Sequence, residues 1–188
     1  MNPIHVPEML FSSHKGWDDL IRLHPSVIKV FVALVVPFSL LPPAMILLAG
    51  SNHPEIFGAN AASHPWLGSA VALLVAELAM VSIMAAAIRW VAASHGEQCD
   101  YHDAFVLAAL FPIPLWLSSL ALLIPSLPFI VAAGLASLVL SFSLVYRGVQ
   151  AFFHEGEQVI AASIAYGVMA IGLLAWGLLL AIGLPFWA

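Results

Sequence analysis

Apolar residues run through this chain in five blocks, at about 28–49, 67–93, 104–124, 128–147 and 159–183, separated by short polar stretches. Each block is long enough to cross a bilayer, since a span needs roughly 20 apolar residues at 1.5 Å of rise each. The blocks are also too long for ordinary buried core helices. Read without regard to proline, 104–147 is a single apolar run; Ile124-Pro125-Ser126-Leu127-Pro128 divides it, because a proline lacks the N–H and the free φ that a continuing helix requires. The pattern predicts an all-α polytopic membrane protein, a bundle of five transmembrane helices. Pro37, Pro42 and Pro43 are expected to kink the first helix, and Pro112 and Pro114 the third.

Composition agrees with the pattern. The chain is 63% hydrophobic and 8% charged, whereas soluble domains keep about a quarter of their residues charged. The few basic residues then set the orientation. Lys15, Arg22 and Lys29 precede or open the first block, Arg89 closes the second and Arg147 the fourth, while the 50–66 loop, the 124–128 turn and the C-terminal end carry none. Five spans with a cytoplasmic N-terminus place every lysine and arginine on the inner side. The C-terminus is then expected outside, with Phe186 and Trp187, and Trp66 at the outer start of the second span, in an aromatic belt. The chain divides into a cytoplasmic or interfacial segment, 1–27, and a membrane domain, 28–188. In the former, Trp17, Leu20 and Ile21 share one side with Asp18, Asp19 and Arg22 opposite, the pattern of a short interfacial helix; an ordered lead-in packed on the bundle is the alternative. The segment has no apolar core of the kind a secretory signal peptide carries.

Chemistry is sparse. The net charge of −5 includes no basic stripe, so no nucleic-acid partner is expected. Glu77 is the one acid in mid-span, about 11 residues or roughly 16 Å from Trp66 and thus near the bilayer midplane. A charge there costs about 2.5–3.5 kcal/mol on insertion scales, so the neutral acid is the cheaper form. Arg89 lies roughly 18 Å along the same helix, out of reach. Ser39, Ser137 and Ser141 fall at similar depth and form with Glu77 a candidate midplane polar site. The kink prolines free carbonyls near that level, to which a protonated Glu77 could donate. A structural acid and a proton or cation site both remain open.

On the inner side His95, Cys99, His102 and His154 are weak metal-ligand candidates beside Glu97, Asp100, Asp103, Glu155 and Glu157. They match neither a CxxC nor an HExxH spacing. The acids precede the third and fifth spans, where capping and the helix dipole account for them. No metal and no cofactor is expected. His53 and His64, in the outer loop, are expected to be simply exposed. The fifth span's Gly167, Gly172, Gly177 and Gly183, with Ala161 and Ala165, predict close helix packing.

The stretch from Tyr101-His102-Asp103-Ala104-Phe105 through Leu-Ala-Ala-Leu-Phe-Pro-Ile-Pro-Leu-Trp-Leu, with the 124–128 turn and Tyr146-Arg147-Gly148, resembles the Yip (Ypt-interacting protein) family. Gly16-Trp17, His24-Pro25-Ser26, Val36-Pro37 and Leu41-Pro42-Pro43 are similar to its bacterial branch. The resemblance covers nearly the whole chain. It implies a five-span helical membrane protein with a cytoplasmic N-terminus, here in a bacterial inner membrane with a periplasmic C-terminus. Eukaryotic members associate with Rab-type GTPases and with one another. Their long cytoplasmic N-terminal region is not in this sequence, so a GTPase partner stays open. The family supplies no catalytic residues. The expected function is therefore non-enzymatic, organising the membrane or binding membrane-protein partners or further copies of itself in the lipid bilayer. A small transporter or channel built around Glu77, and an accessory subunit of a larger complex, are the alternatives.

Overall fold

In the computed structural model, residues 25–58, 61–153 and 158–183 are described. They form five helical rods long and apolar enough to cross a membrane: Val27–Asn52, Trp66–Ser94, Tyr101–Leu123, Leu127–Phe152 and Gln158–Gly183. Helices satisfy their backbone hydrogen bonds internally, which hydrocarbon surroundings demand. The proposed interfacial helix around Trp17, together with Lys15, Arg22, His154, Glu155, Glu157, Phe186 and Trp187, lies outside the described residues.

The second span is the hub, packing on the first, third and fifth; the fourth packs on the third and fifth. Its inward stripe is Ala70, Leu73, Glu77, Val81, Ala85, Ile88 and Val91, at the three- and four-residue spacing of a single helix face. Leu67, Val71, Val75 and Ile83 are exposed on the other side, as lipid contact requires. The second span ends where Gly96 takes φ 83°, a left-handed conformation glycine adopts without strain. Gly96 N–H donates to Ala93 O at 3.1 Å and Glu97 N–H to Ala92 O at 3.0 Å, closing the helix as a Schellman cap.

Two spans are interrupted. The first passes through a π-helical turn, Phe31–Val35, just before Pro37, and breaks at Leu40 ahead of Pro42 and Pro43. The third stops at Leu110, turns at Phe111 and Pro112, and resumes over Ile113–Ser118. Each interruption sits beside a proline. The third span tolerates it because residues 104–111 are buried all round, so its irregular backbone meets protein and not lipid.

The fifth span's small residues divide. A Cβ on Gly167 would fall 3.0 Å from Val91, and one on Gly183 3.1 Å from Ile46, whereas Gly177 faces open space. Close packing thus belongs to two of the four glycines and to the buried Ala161 and Ala165. Trp66 departs from expectation. It is buried, its Nε1–H donates to Ala61 O at 3.1 Å, and its ring packs on Phe57 and His64, each with centroids 4.8 Å apart. The loop carrying Phe57, Ala61 and His64 folds over it and buries the indole. His64 is likewise half-buried, its Nε2 2.6 Å from Ser69 Oγ.

Candidate functional site

Four polar side chains are buried among the described residues: Ser39, Glu77, Ser137 and Ser141. The first span's buried face carries Ser39, the second's inward stripe carries Glu77, and the fourth brings in Ser137 and Ser141 one turn apart. Glu77 and Ser141 border a common cavity, while Ser39 and Ser137 bond within their own helices. Ser39 Oγ donates to Val36 O at 3.2 Å and Ser137 Oγ to Gly134 O at 2.8 Å. Each closes on its own helix, which satisfies a hydroxyl without a neighbour. Glu77 Oε2 and Ser141 Oγ have no hydrogen-bond partner among the described residues. The carbonyl partner expected for Glu77 is therefore not engaged by Oε2, although Pro112 stands nearby.

Glu77 and Ser141 line the same cavity, about 550 Å³ in volume, between the second and fourth spans. Those two spans barely touch, and the third and fifth bridge them. Of the five prolines in the first and third spans, Pro42 and Pro112 reach the cavity wall while Pro37, Pro43 and Pro114 do not. The remaining wall is largely apolar, with Met80, Met84 and Trp176 among its larger side chains. Gly134 also lines it, and a Cβ there would meet nothing within 4 Å. An unpaired buried polar atom costs about 1–3 kcal/mol. Both residues border one cavity while their unpaired oxygens are themselves buried, which marks this as the chemically distinctive part of the bundle. Sequence reasoning found the acid and the serine but not the cavity. Apolar side chains on a cavity wall look no different in sequence from those facing lipid.

The segment 94–103 carries His95, Cys99 and His102 of the proposed metal ligands. Among the described residues no group of three histidine, cysteine or acidic side chains converges; His154 is outside them. His95 Nδ1 lies 2.9 Å from Val91 O, and Cys99 Sγ donates to Asp100 O at 3.6 Å. His102 Nε2 is 2.7 Å from Pro25 O, and its Nδ1 is 2.9 Å from Asp103 Oδ1. This histidine ties the third span to the entry of the first. Asp103 is thereby taken by His102, and Asp100, at the N-cap position of the third span, makes no side-chain cap bond. Side-chain capping by these acids is thus replaced by a histidine clamp; their favourable placement in the helix dipole remains. Arg89 Nε–H donates to Cys99 O at 3.2 Å. Burial, reinforced by the neighbouring Asp103 carboxylate, pushes the Cys99 thiol up to about 11, so it is an inert thiol and not a reactive one.

Compared with known proteins, the chain finds no match among curated proteins or among solved structures. The Yip1 domain matches residues 8–179. With all five helical rods wholly or largely inside that stretch, the chain belongs to the Yip1 domain family.

Proposed function

We propose that this Yip-family protein acts without catalysis, binding membrane-protein partners or further copies of itself and organising them in the bilayer. Membership of the family across residues 8–179 is the observation that carries this reading. In the proposed orientation the N-terminus is cytoplasmic, the C-terminus is periplasmic and the membrane is the bacterial inner membrane. The charge distribution supports that orientation, because it gathers Lys15, Arg22, Lys29, Arg89 and Arg147 on one side. The segment 1–27 is the inner lead-in and 28–188 the membrane domain. Prolines 37, 42, 43, 112 and 114 kink the first and third spans in this reading. The helical faces and the acidic inner loops 150–158 and 94–103 are the partner-facing elements. Asp100 is exposed there, while Arg89 turns onto a backbone carbonyl and does not neutralise it by an ion pair.

The test is purification of the tagged chain in mild detergent, followed by measurement of partner stoichiometry. A partner or self-assembly at fixed ratio is expected, weakened by the double charge reversal Glu97→Lys with Asp100→Lys. A chain that stays monomeric and partnerless, or that turns over a small substrate in a Glu77-dependent way, would refute the proposal. The unpartnered Glu77 favours a second reading, a small transporter. Proteoliposome flux lost in Glu77→Gln would support it over the first. Co-purification as a minor component of one defined assembly would instead indicate an accessory subunit.

A further inference from the structure

At the inner end of the bundle one side chain joins two spans through both of its ring nitrogens. His102 stands in the first turn of the third span, next to Asp103 and two residues after the N-cap Asp100. Its Nδ1 lies 2.9 Å from Asp103 Oδ1, and its Nε2 lies 2.7 Å from Pro25 O, where the chain enters the first span. Phe31 packs on Phe105 at the same junction, ring centroids 6.4 Å apart. An ionised carboxylate and a carbonyl can only accept. A neutral imidazole has one N–H and one lone pair, so it serves one of them and turns a lone pair on the other. The imidazolium donates to both.

Among the described residues, the charges that act on the ring are the carboxylates of Asp103 and Asp100. They offset the field of the helix N-terminus, which by itself disfavours a cation. Of the elements packed around the third span, the first carries Lys29, the second Arg89 with His95 at its C-cap, and the fourth Arg147. Arg89 Nε–H goes to Cys99 O and His95 Nδ1 sits on Val91 O, while Tyr101 packs on Phe105. The side chains of His102 and Asp103 are 27% and 31% exposed, so protons from solvent reach the pair.

We infer that His102 is a proton-controlled latch between the first and third spans. The charged ring holds the entry of the first span onto the third; the neutral ring gives up one of the two bonds and the junction loosens. The sign follows from the count of bonds. The folded protein has both at low pH and one at high pH, whereas the unfolded chain offers the ring water in either state. The latch's contribution is therefore complete in acid and falls as pH rises through the titration of the ring. Partner binding plays no part in this device, so either idea survives failure of the other.

The experiment uses the full chain in mixed micelles, with reversible unfolding followed by helical circular dichroism at about pH 5 and about pH 8.5, either side of histidine titration. Comparing the native chain with His102→Gln at each pH cancels every other titrating group that the two share. The ratio of their folding constants is expected to fall roughly 3–10-fold from acid to alkaline pH, the worth of one hydrogen bond. On an Asp103→Asn background the same comparison should lose most of its pH dependence, because a carboxamide accepts from the charged ring or donates to the neutral one. A ratio that is constant, or that rises with pH, would overturn the inference, since His102 would then be a pH-independent brace. Full pH dependence surviving on the Asp103→Asn background would overturn it too. Should a variant unfold irreversibly, amide exchange decides. Exchange of the Val30 amide, bonded to Ser26 O at 3.1 Å, should quicken at high pH beyond its intrinsic rate in the native chain and not in His102→Gln. Equal behaviour of the two chains would refute the latch.

Discussion

Among the described glycines, Gly50 leaves the least room for a side chain because the Trp66 ring stands over it, and substitution there gives a quantitative test of the fold. A Cβ on Gly50 would lie within contact distance of three ring atoms of Trp66, Cδ2, Cε2 and Cε3, all nearer than real Cβ atoms approach. The ring cannot simply slide. Its Nε1–H is held by Ala61 O, and Phe57 and His64 pack on its faces or edge. Gly50→Ala should therefore cost about 1–3 kcal/mol of overpacking, plus about 0.5–1.5 kcal/mol if the indole turns and its hydrogen bond breaks. Trp66→Ala alone should cost about 3–5 kcal/mol, and it removes the obstacle. In a double-mutant cycle, Gly50→Ala should be nearly neutral on the Trp66→Ala background, giving a coupling of about 1–3 kcal/mol. The assay is reversible unfolding in mixed micelles, followed by helical circular dichroism so that loss of the tryptophan does not alter the probe. Additive costs, with coupling below about 0.5 kcal/mol, would show that the indole does not cover Gly50 and would refute the packing described.

Three further outcomes follow from the same structure. On a Cys99→Ser background, Asn52→Cys and Gln98→Cys should react with an impermeant maleimide from opposite faces of sealed vesicles; reaction from one face would overturn the topology. With its thiol pushed up from 9.0 to about 11, native Cys99 at pH 8 should alkylate about 100-fold more slowly than an unperturbed thiol, accelerating as pH rises toward 11, because the thiolate is the reactive form. Rapid stoichiometric alkylation at pH 7 would contradict the burial assigned to it. His102→Ala should lower stability by about 1–3 kcal/mol through loss of its bonds to Pro25 O and Asp103, with His102→Gln recovering part; an unchanged unfolding midpoint would dismiss the clamp.

The five helices and their membrane character were legible in the amino-acid order because the signal is local. An unbroken apolar stretch reports its solvent wherever its neighbours lie. Glu77 stood out for the same reason, as a costly group in such a stretch. The depth argument grouped it with three serines, and here local reasoning stopped. Whether Ser137 turns back on its own helix while Ser141 faces a cavity depends on which helices stand beside the fourth span. So does the burial of Trp66, which by position alone belonged to the lipid interface. The cavity itself arises because the second and fourth spans are held apart by the third and fifth. Leucine, methionine and tryptophan obey one hydropathy whether they face lipid, a neighbour or an internal space. Only the tertiary packing distinguishes those three surroundings, and it does so through contacts between residues dozens of positions apart.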